Sequence, residues 1–454
     1  MKKHQTSMLQ GPVLWGVISY TVPIILTSVL QLLFNAADLI IVGRFCGSVS
    51  VAAVGATGSI TNLIVNLFIG LSVGAGVTVA HAVGSRESES IHRSVHTALP
   101  VALISGVVLT VVGVALSGTF LRLMGTPENV LPLSTVYMQI YFGGITFNMV
   151  YNFCASILRA AGDTRSPLIF LSLAGVINVV LNYFFVTFFH MNVAGVALAT
   201  TISQAVSAVL VVIALMRRRD DCRLYLKKMH IYRVQFMKMV RIGLPAGIQG
   251  SLFSISNVMI QSSVNSFGDV FMSGNAAAGN IEGFVYVIMN SFHQTAVNYI
   301  GQNVGAHQYD RVNKVLRCCL ACVGAAGLAA GVLGYCFGPQ LLSIYITDSA
   351  EAISYGMLRL SFVCLPYFLC GLMDVSTGAL RGMGASLEPM AISVIGICGL
   401  RLLWLGTIFQ IPAFHTPMWL YLSYPISWTI TFAAQHIAFR SVYRRHLQMF
   451  NPQN

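Results

Sequence analysis

The sequence predicts an all-α membrane protein that crosses the bilayer many times. Of its 454 residues, 56% are hydrophobic and only 9% are charged, whereas soluble domains carry about 25% charged residues. The mean hydropathy is +0.75. Many apolar runs along the chain are about 20 residues long or longer, which is the length that a helix needs to cross a bilayer. The strands of a β-barrel would instead alternate polar and apolar residues. The low fraction of charged residues also excludes a large soluble domain.

Clusters of glycine, proline and charged residues divide the apolar sequence into twelve predicted spans. Their approximate bounds are 15–43, 50–82, 97–118, 133–156, 167–188, 193–215, 243–266, 274–300, 318–338, 353–378, 389–410 and 417–439. We therefore expect a polytopic protein with twelve transmembrane helices.

The basic residues predict the orientation of these spans. The net charge is +12, from 26 Lys and Arg against 14 Asp and Glu. Of the 26 basic residues, 22 fall on one side of the predicted spans, nine of them between Arg217 and Arg241. Cytoplasmic loops are enriched in Lys and Arg, so both termini are predicted to be cytoplasmic. The protein itself is predicted to lie in the cell (inner) membrane. Contact with anionic membrane lipids explains the basic stretch without a nucleic-acid partner.

The chain repeats itself at a shift of about 222 residues. The motif Leu-Arg-x-x-Gly-x-x-x-x-Pro begins at Leu158 and again at Leu380, and Pro23 matches Pro245. Each repeat holds six spans, an even number, so both halves have the same orientation. This predicts two six-helix lobes related by a pseudo-two-fold axis along the membrane normal, an architecture of secondary transporters.

These observations give the predicted domain organisation. Residues 1–216 form an N-terminal lobe, 217–242 a basic cytoplasmic linker, 243–440 a C-terminal lobe and 441–454 a cytoplasmic tail. Within the second span, Gly70, Gly74 and Gly76 form a stripe of small residues. Such a stripe lets two helices approach closely, so we predict a close helix contact there.

Three polar residues of the N-terminal lobe, Asp38, Asn182 and Thr200, are predicted to lie at one depth in the membrane. Asp38 is five residues before Gly43 and lies roughly 9 Å from the outer end of its span. Asn178 and Asn182 share one helix face, and Asn182 and Thr200 lie roughly 9–10 Å from the outer ends of theirs. A carboxylate among amide and hydroxyl oxygens suits Na⁺, or a proton held by the carboxyl group. The alternative is that the Asn and Thr side chains only link neighbouring helices.

The sequence resembles the multidrug and toxic compound extrusion (MATE) transporters over nearly its whole length. The segments that carry the resemblance are Asp38–Gly43, Leu158–Asp163, Asn178–Asn182, Ala194–Thr200 and Gly301–Ala306. The resemblance implies export of drugs in exchange for Na⁺ or H⁺, with a cation site that includes Asp38, Asn178 and Thr200. At Asn182 the family commonly has Asp, which leaves the choice between Na⁺ and H⁺ open.

The C-terminal lobe contains three charged residues within its predicted spans, Glu282, Asp374 and Arg401. Counting residues from the span ends places Glu282 and Arg401 at similar depths, about 12 Å and 18 Å from opposite surfaces. An ion pair between them would reduce the cost of burying either charge. The alternative is direct contact of these charges with a cationic substrate.

The predicted function is secondary active efflux of organic, cationic or amphipathic compounds by alternating access. The sequence contains no Walker A motif, zinc-protease motif or nucleophile elbow, so we expect neither an enzyme nor a cofactor other than the coupling ion. The expected partners are small organic substrates and membrane lipids, and the protein is expected to act as a monomer. The alternatives are a flippase for lipid-linked saccharides of the related superfamily, and an intramembrane enzyme or receptor.

Overall fold

The computed structural model describes residues 8–347 and 349–450, which are helical almost throughout and contain no strand. The first eight helices are α1 (Val13–Phe45), α2 (Ser48–Ser85), α3 (Ser88–Leu123), α4 (Leu131–Gly143), α5 (Ile145–Ala160), α6 (Arg165–Thr187), α7 (Asn192–Met216) and α8 (Arg233–Asn265). The others are α9 (Asp269–Gly305), α10 (Tyr309–Cys336), α11 (Gly338–Tyr345), α12 (Ala350–Arg359), α13 (Tyr367–Gly382), α14 (Leu387–Ser393), α15 (Leu400–Gly406) and α16 (Pro417–Phe450). Residues 1–7 and 451–454, on which the predicted orientation of the two termini depends, lie outside the described residues.

The predicted fold class is confirmed, and several predicted spans are broken helices. Seven described helices are long and apolar enough to cross a bilayer, and α12 with α13 makes an eighth, bent by 40°. The fourth predicted span consists of α4 and α5, which meet at Gly144. The eleventh is one of the seven long helices, Leu387–Gln410, in which a π-helical segment joins α14 to α15. Counting each broken helix as one span, the described helices fit twelve spans.

Two spans of the C-terminal half contain π-helical segments. The first, Leu360–Cys364, precedes Pro366, which has no N–H to continue the helical hydrogen bonds. The second, Val394–Gly399, separates α14 from α15. Each extra residue per turn rotates the following side chains around the helix axis. The faces that α13 and α15 present therefore differ from those that an unbroken helix would present.

The sequence repeat has a structural counterpart in matching helix ends. Gly162 and Gly384 both have left-handed backbones, with φ of 88° and 84°. Each glycine N–H donates to the carbonyl of the arginine three residues earlier, at 2.9 Å and 2.8 Å. The next N–H reaches the preceding leucine, Leu158 or Leu380, at 2.9 Å and 3.0 Å. This is a Schellman motif, which explains why both copies of the repeat carry glycine at that position.

The chain packs as two compact units. The first comprises Val22–Ser251, and the second comprises Met8–Thr21 with the described residues from Leu252 onward. Two helices are therefore divided: the first nine residues of α1 belong to the second unit, and α8 as far as Ser251 belongs to the first. The predicted boundaries at 216 and 243 concern the membrane spans, and they stay predictions.

The predicted glycine contact lies inside the first unit, between α2 and α8. A Cβ atom on Gly70 would lie 2.2 Å from the nitrogen of Gly247, and one on Gly74 would lie 2.1 Å from the oxygen of Met239. These distances leave no room for any side chain. The close helix contact predicted from the small-residue stripe is confirmed.

The linker is held against the start of α3 in the first unit. The N–H of Tyr225 donates to His96 Nε2 at 3.0 Å, and the N–H of Tyr232 donates to Thr97 Oγ1 at 3.2 Å. His96 Nδ1 lies 2.8 Å from the oxygen of His92, so this nitrogen carries the proton and Nε2 is the acceptor. The contact therefore requires a neutral imidazole.

In the second unit, Arg311 at the start of α10 holds the segment before α1. Its guanidinium donates to the carbonyl oxygens of Met8, Gln10 and Gly11, each at 3.1 Å. Asn303 Nδ2 also donates to the oxygen of Met8, at 3.2 Å. These bonds tie the start of the first helix to the second unit.

Candidate functional site

Helices α1 and α6 approach each other because a glycine of α6 accommodates an aromatic ring of α1. A Cβ atom on Gly175 would lie 1.8 Å from Phe34 Cε2. Asp38 follows Phe34 by one helical turn, and Asn178 and Asn182 follow Gly175 on the same face of α6. The packing of the ring on the glycine therefore aligns the carboxylate of α1 with the two amides of α6.

The four residues of the predicted cation site form one hydrogen-bonded cluster, which agrees with the depth predicted for Asp38, Asn182 and Thr200. Asn182 Nδ2 donates to Asp38 Oδ1, and it also donates to Asn178 Oδ1 at 3.2 Å. Asn178 Nδ2 donates to Thr200 Oγ1 at 3.3 Å. Thr200 Oγ1 donates in turn to the oxygen of Val196, at 3.0 Å. Their role in ion binding stays a prediction.

The cluster is well shielded but incompletely hydrogen-bonded. Asn182 is fully buried and Asn178 is 5% exposed, while Asp38 and Thr200 are half-buried. The buried Oδ1 of Asn182 has no hydrogen-bond partner within the described residues. An orphaned buried oxygen is costly, and the amide group that carries it also donates to the Asp38 carboxylate. Carboxylate, amide and hydroxyl oxygens are the ligands that hard cations prefer.

An apolar layer closes one side of the cluster. It lies one helical turn from the polar residues on each helix and consists of Val42 of α1, Val186 of α6 and Val196 of α7, all buried. Tyr137 packs against the same layer. A hydrated ion approaching from that side would have to displace this layer.

In the second unit, Glu282 is paired with Arg359, so the predicted ion pair of Glu282 with Arg401 is wrong. Arg359 Nε and Nη2 donate to the two carboxylate oxygens of Glu282 at 2.9 Å and 2.7 Å. Arg359 Nη1 donates to Asn275 Oδ1 at 2.5 Å, and the hydroxyl of Tyr421 donates to the same oxygen at 2.9 Å. Glu282 is buried and Arg359 is half-buried, with 6% and 13% of their side chains exposed.

Arg359 is not among the predicted site residues, because the predicted tenth span, 353–378, starts three residues too late. In the structure α12 begins at Ala350. Ser349, just before it, accepts a hydrogen bond from the N–H of Ala352 through Oγ, at 3.1 Å. Arg359 is therefore about 14 Å along its helix, whereas the predicted start at residue 353 would place it about 9 Å along. A serine just before a helix is a recognised N-cap signal, and it could have located this start.

Arg401 packs between aromatic side chains of α16. Its guanidinium carbon lies 4.1 Å from the ring centroid of Tyr424 and 5.6 Å from that of Trp428. Nε donates to Ser427 Oγ at 3.0 Å. The residue is 5% exposed, and its Nη2 has no hydrogen-bond partner in the part of the chain that the structure describes.

Asp374 lies on α13 and is half-buried. Its backbone oxygen lies 2.7 Å from His293 Nδ1. The positive charge of Arg381 acts electrostatically on its carboxylate. The structure therefore keeps Glu282, Asp374 and Arg401 in different surroundings. It does not bring them together as one charged cluster.

Comparisons with known proteins match both halves of the chain. A profile of the MatE family matches residues 23–184 and 245–404. The chain is 28% identical over 399 residues to the "Probable multidrug resistance protein YpnP" of Bacillus subtilis strain 168, covering 86% of this chain and 87% of that protein. It is also 28% identical over 407 residues to the "Probable multidrug resistance protein YoeA" of the same strain, covering 87% of each.

The fold is similar to those of solved structures. One of them is described as the outward-facing conformation of a multidrug resistance MATE family transporter of the MOP superfamily. It matches with a TM-score of 0.88 at 20% identity, covering 98% of this chain and 99% of the other.

Proposed function

The chain belongs to the MatE family, and we propose that it exports organic compounds across the cell membrane in exchange for Na⁺ or H⁺. It is a multi-pass membrane transporter and not an enzyme, and small molecules are its substrates. The multidrug resistance proteins that it resembles support efflux as the direction of transport.

The cluster around Asp38 is the observation that carries the proposal. A single carboxylate accepts a hydrogen bond from the Asn182 amide, whose buried Oδ1 has no partner among the described residues, and this arrangement gains from binding one positive charge. A cation that binds more tightly in one conformation than in another shifts the population of the two. That difference in affinity is what couples entry of the ion to export of the drug.

The identity of the ion depends on how Asp38 and Asn182 share the site. With Asn at position 182, the cluster holds one carboxylate instead of the pair that the family resemblance implies. A proton would bind to Asp38 directly, whereas Na⁺ would also recruit amide and hydroxyl oxygens. Separate ion gradients distinguish these two forms of the proposal.

The proposed substrates are cationic or amphipathic organic compounds. Glu282 is already neutralised by Arg359, which leaves it little attraction for a cationic substrate. Asp374, the other carboxylate predicted within the spans of the C-terminal lobe, forms no salt bridge within the described residues. Arg381 acts on it only through its charge, so Asp374 is the group proposed for that role. We also propose that both termini and the linker are cytoplasmic, which a reporter inserted near Arg223 would test.

The deciding experiment measures ethidium efflux from proteoliposomes with Na⁺ and H⁺ gradients imposed separately. The wild type should respond to one of them, and Asp38→Asn should remain folded but lose ion-driven efflux. Asp163→Asn is a matched control, because Asp163 caps α6 through Ser166, at 3.0 Å from its nitrogen, outside the cluster. Full ion-driven efflux by Asp38→Asn would refute the assignment.

A further inference from the structure

Arg401 is a buried guanidinium for which the described part of the chain supplies no carboxylate. Within residues 8–347 and 349–450, its one hydrogen-bond acceptor is the hydroxyl of Ser427, and Nη2 has none. The two aromatic rings beside it, Tyr424 and Trp428, attract the positive charge but offer no acceptor in the plane of the guanidinium. The guanidinium group therefore keeps unused capacity to donate hydrogen bonds.

Arg359, in the same unit, has different surroundings. It is half-buried, and two oxygens of Glu282 and one of Asn275 accept hydrogen bonds from its guanidinium. Burying a charge without such partners costs several kcal/mol, as a general rule. Because buried charges without partners in membrane proteins are usually functional, Arg401 requires an explanation other than packing.

The backbone before Arg401 is also specialised. The π-helical segment Val394–Gly399 ends directly before α15, and segments of this kind are frequent at functional sites. Gly396 in this segment packs on α16, where a Cβ atom would lie 2.2 Å from Thr431 Oγ1. The π-helix thus lets the span remain close to α16 while it turns Arg401 onto the aromatic rings of that helix.

We propose that Arg401 binds the carboxylate of an aromatic amphiphile, with the rings of Tyr424 and Trp428 flanking the ligand. A planar guanidinium pairs with a carboxylate through parallel hydrogen bonds. The substrates would then include zwitterions, which carry a carboxylate as well as a basic nitrogen. The inference rests on the proposed function in one respect, namely that the bound compound is the exported one.

The test compares norfloxacin, which has a carboxylate, with its methyl ester, which has none. Binding of both to the purified full-length protein in lipid nanodiscs is measured by calorimetry, without any ion gradient. The wild type should bind the acid about tenfold to hundredfold more tightly than the ester, the range expected for a hydrogen-bonded charge pair. Arg401→Gln should bind the acid and the ester equally.

Two further variants control for folding. Arg401→Lys keeps the charge without the planar group and should retain part of the preference. Arg311→Lys changes an arginine whose donors are satisfied by the carbonyl oxygens of Met8, Gln10 and Gly11, and it should leave the preference unchanged. If Arg401→Gln does not fold, a partial loss of the preference in Arg401→Lys, with the preference unchanged in Arg311→Lys, decides the question.

Equal binding of acid and ester by the wild type, or binding of neither at millimolar concentration, would overturn the carboxylate site. A preference that persists in Arg401→Gln, or is undiminished in Arg401→Lys, would overturn it as well. Transport gives a separate result. Tight binding of the acid without efflux would contradict the proposed function alone, and efflux without a preference for the acid would contradict the carboxylate site alone.

Discussion

The buried pair of Glu282 and Arg359 should behave as one unit when its charges are removed. Glu282→Gln leaves the guanidinium with an amide oxygen in place of two carboxylate oxygens that now lie at 2.9 Å and 2.7 Å. Removing one partner of a buried ion pair typically costs about 3–5 kcal/mol. Arg359→Gln should cost a similar amount, because it strands the carboxylate.

The double variant Glu282→Gln with Arg359→Gln should be far more stable than the sum of the single losses implies. It buries two neutral amides instead of an unpaired charge, so we expect a coupling energy of about 2–3 kcal/mol. The assay is equilibrium unfolding of the purified protein in mixed micelles, applied to the wild type, both single variants and the double variant.

The chain supplies a matched control cycle in Glu282 and Arg401. These two residues are not paired in the structure, so their losses should add to within about 0.5 kcal/mol. Additive losses for Glu282 with Arg359, or strong coupling of Glu282 with Arg401, would show that the pairing described above is incorrect.

Three other predictions concern the first unit. Gly175→Ala should lower the free energy of unfolding by about 1–3 kcal/mol, because the added Cβ would meet the ring of Phe34. The double variant with Phe34→Leu should recover part of this loss in the same unfolding assay. Burial lowers the pKa of His96 below the ordinary value of 6.5, so acidification well below pH 6.5 should protonate Nε2 and release Tyr225. Cleavage of the linker by trypsin, relative to its cleavage of an unstructured peptide at the same pH, should then be faster; an unchanged ratio would argue against this contact. Asn182→Asp adds a second carboxyl group, so its efflux should depend on external pH between about 5 and 8 more steeply than that of the wild type; parallel pH profiles would contradict the proximity of the two groups.

The cluster around Asp38 was predictable because depth and helix face could both be read from the sequence. Asn178 and Asn182 are four residues apart, so they share a face, and residue counting from the span ends gave Asp38, Asn182 and Thr200 one depth. The spans themselves followed from hydropathy. Close packing at Gly70 and Gly74 followed from residue size alone.

The pairing of Glu282 was not predictable in the same way, because depth does not specify the direction in which a side chain points. Arg401 and Arg359 lie at comparable depths on different helices. A π-helical segment precedes Arg401 and changes the face on which it lies. The N-cap of α12 sets the depth of Arg359. Both features depend on local backbone geometry, which hydrophobic periodicity does not report.

The division of α1 and α8 between the two packing units bears on the origin of the duplicated sequence. Neither half of the chain contains a whole unit, since the second unit includes Met8–Thr21 and the first includes α8 as far as Ser251. A single-repeat ancestor built this way would complete each unit with a helix segment from a second copy, as in a domain-swapped dimer. Gene fusion makes that exchange intramolecular and independent of protein concentration. Half-chains separated within the linker should therefore fold only when they are produced together.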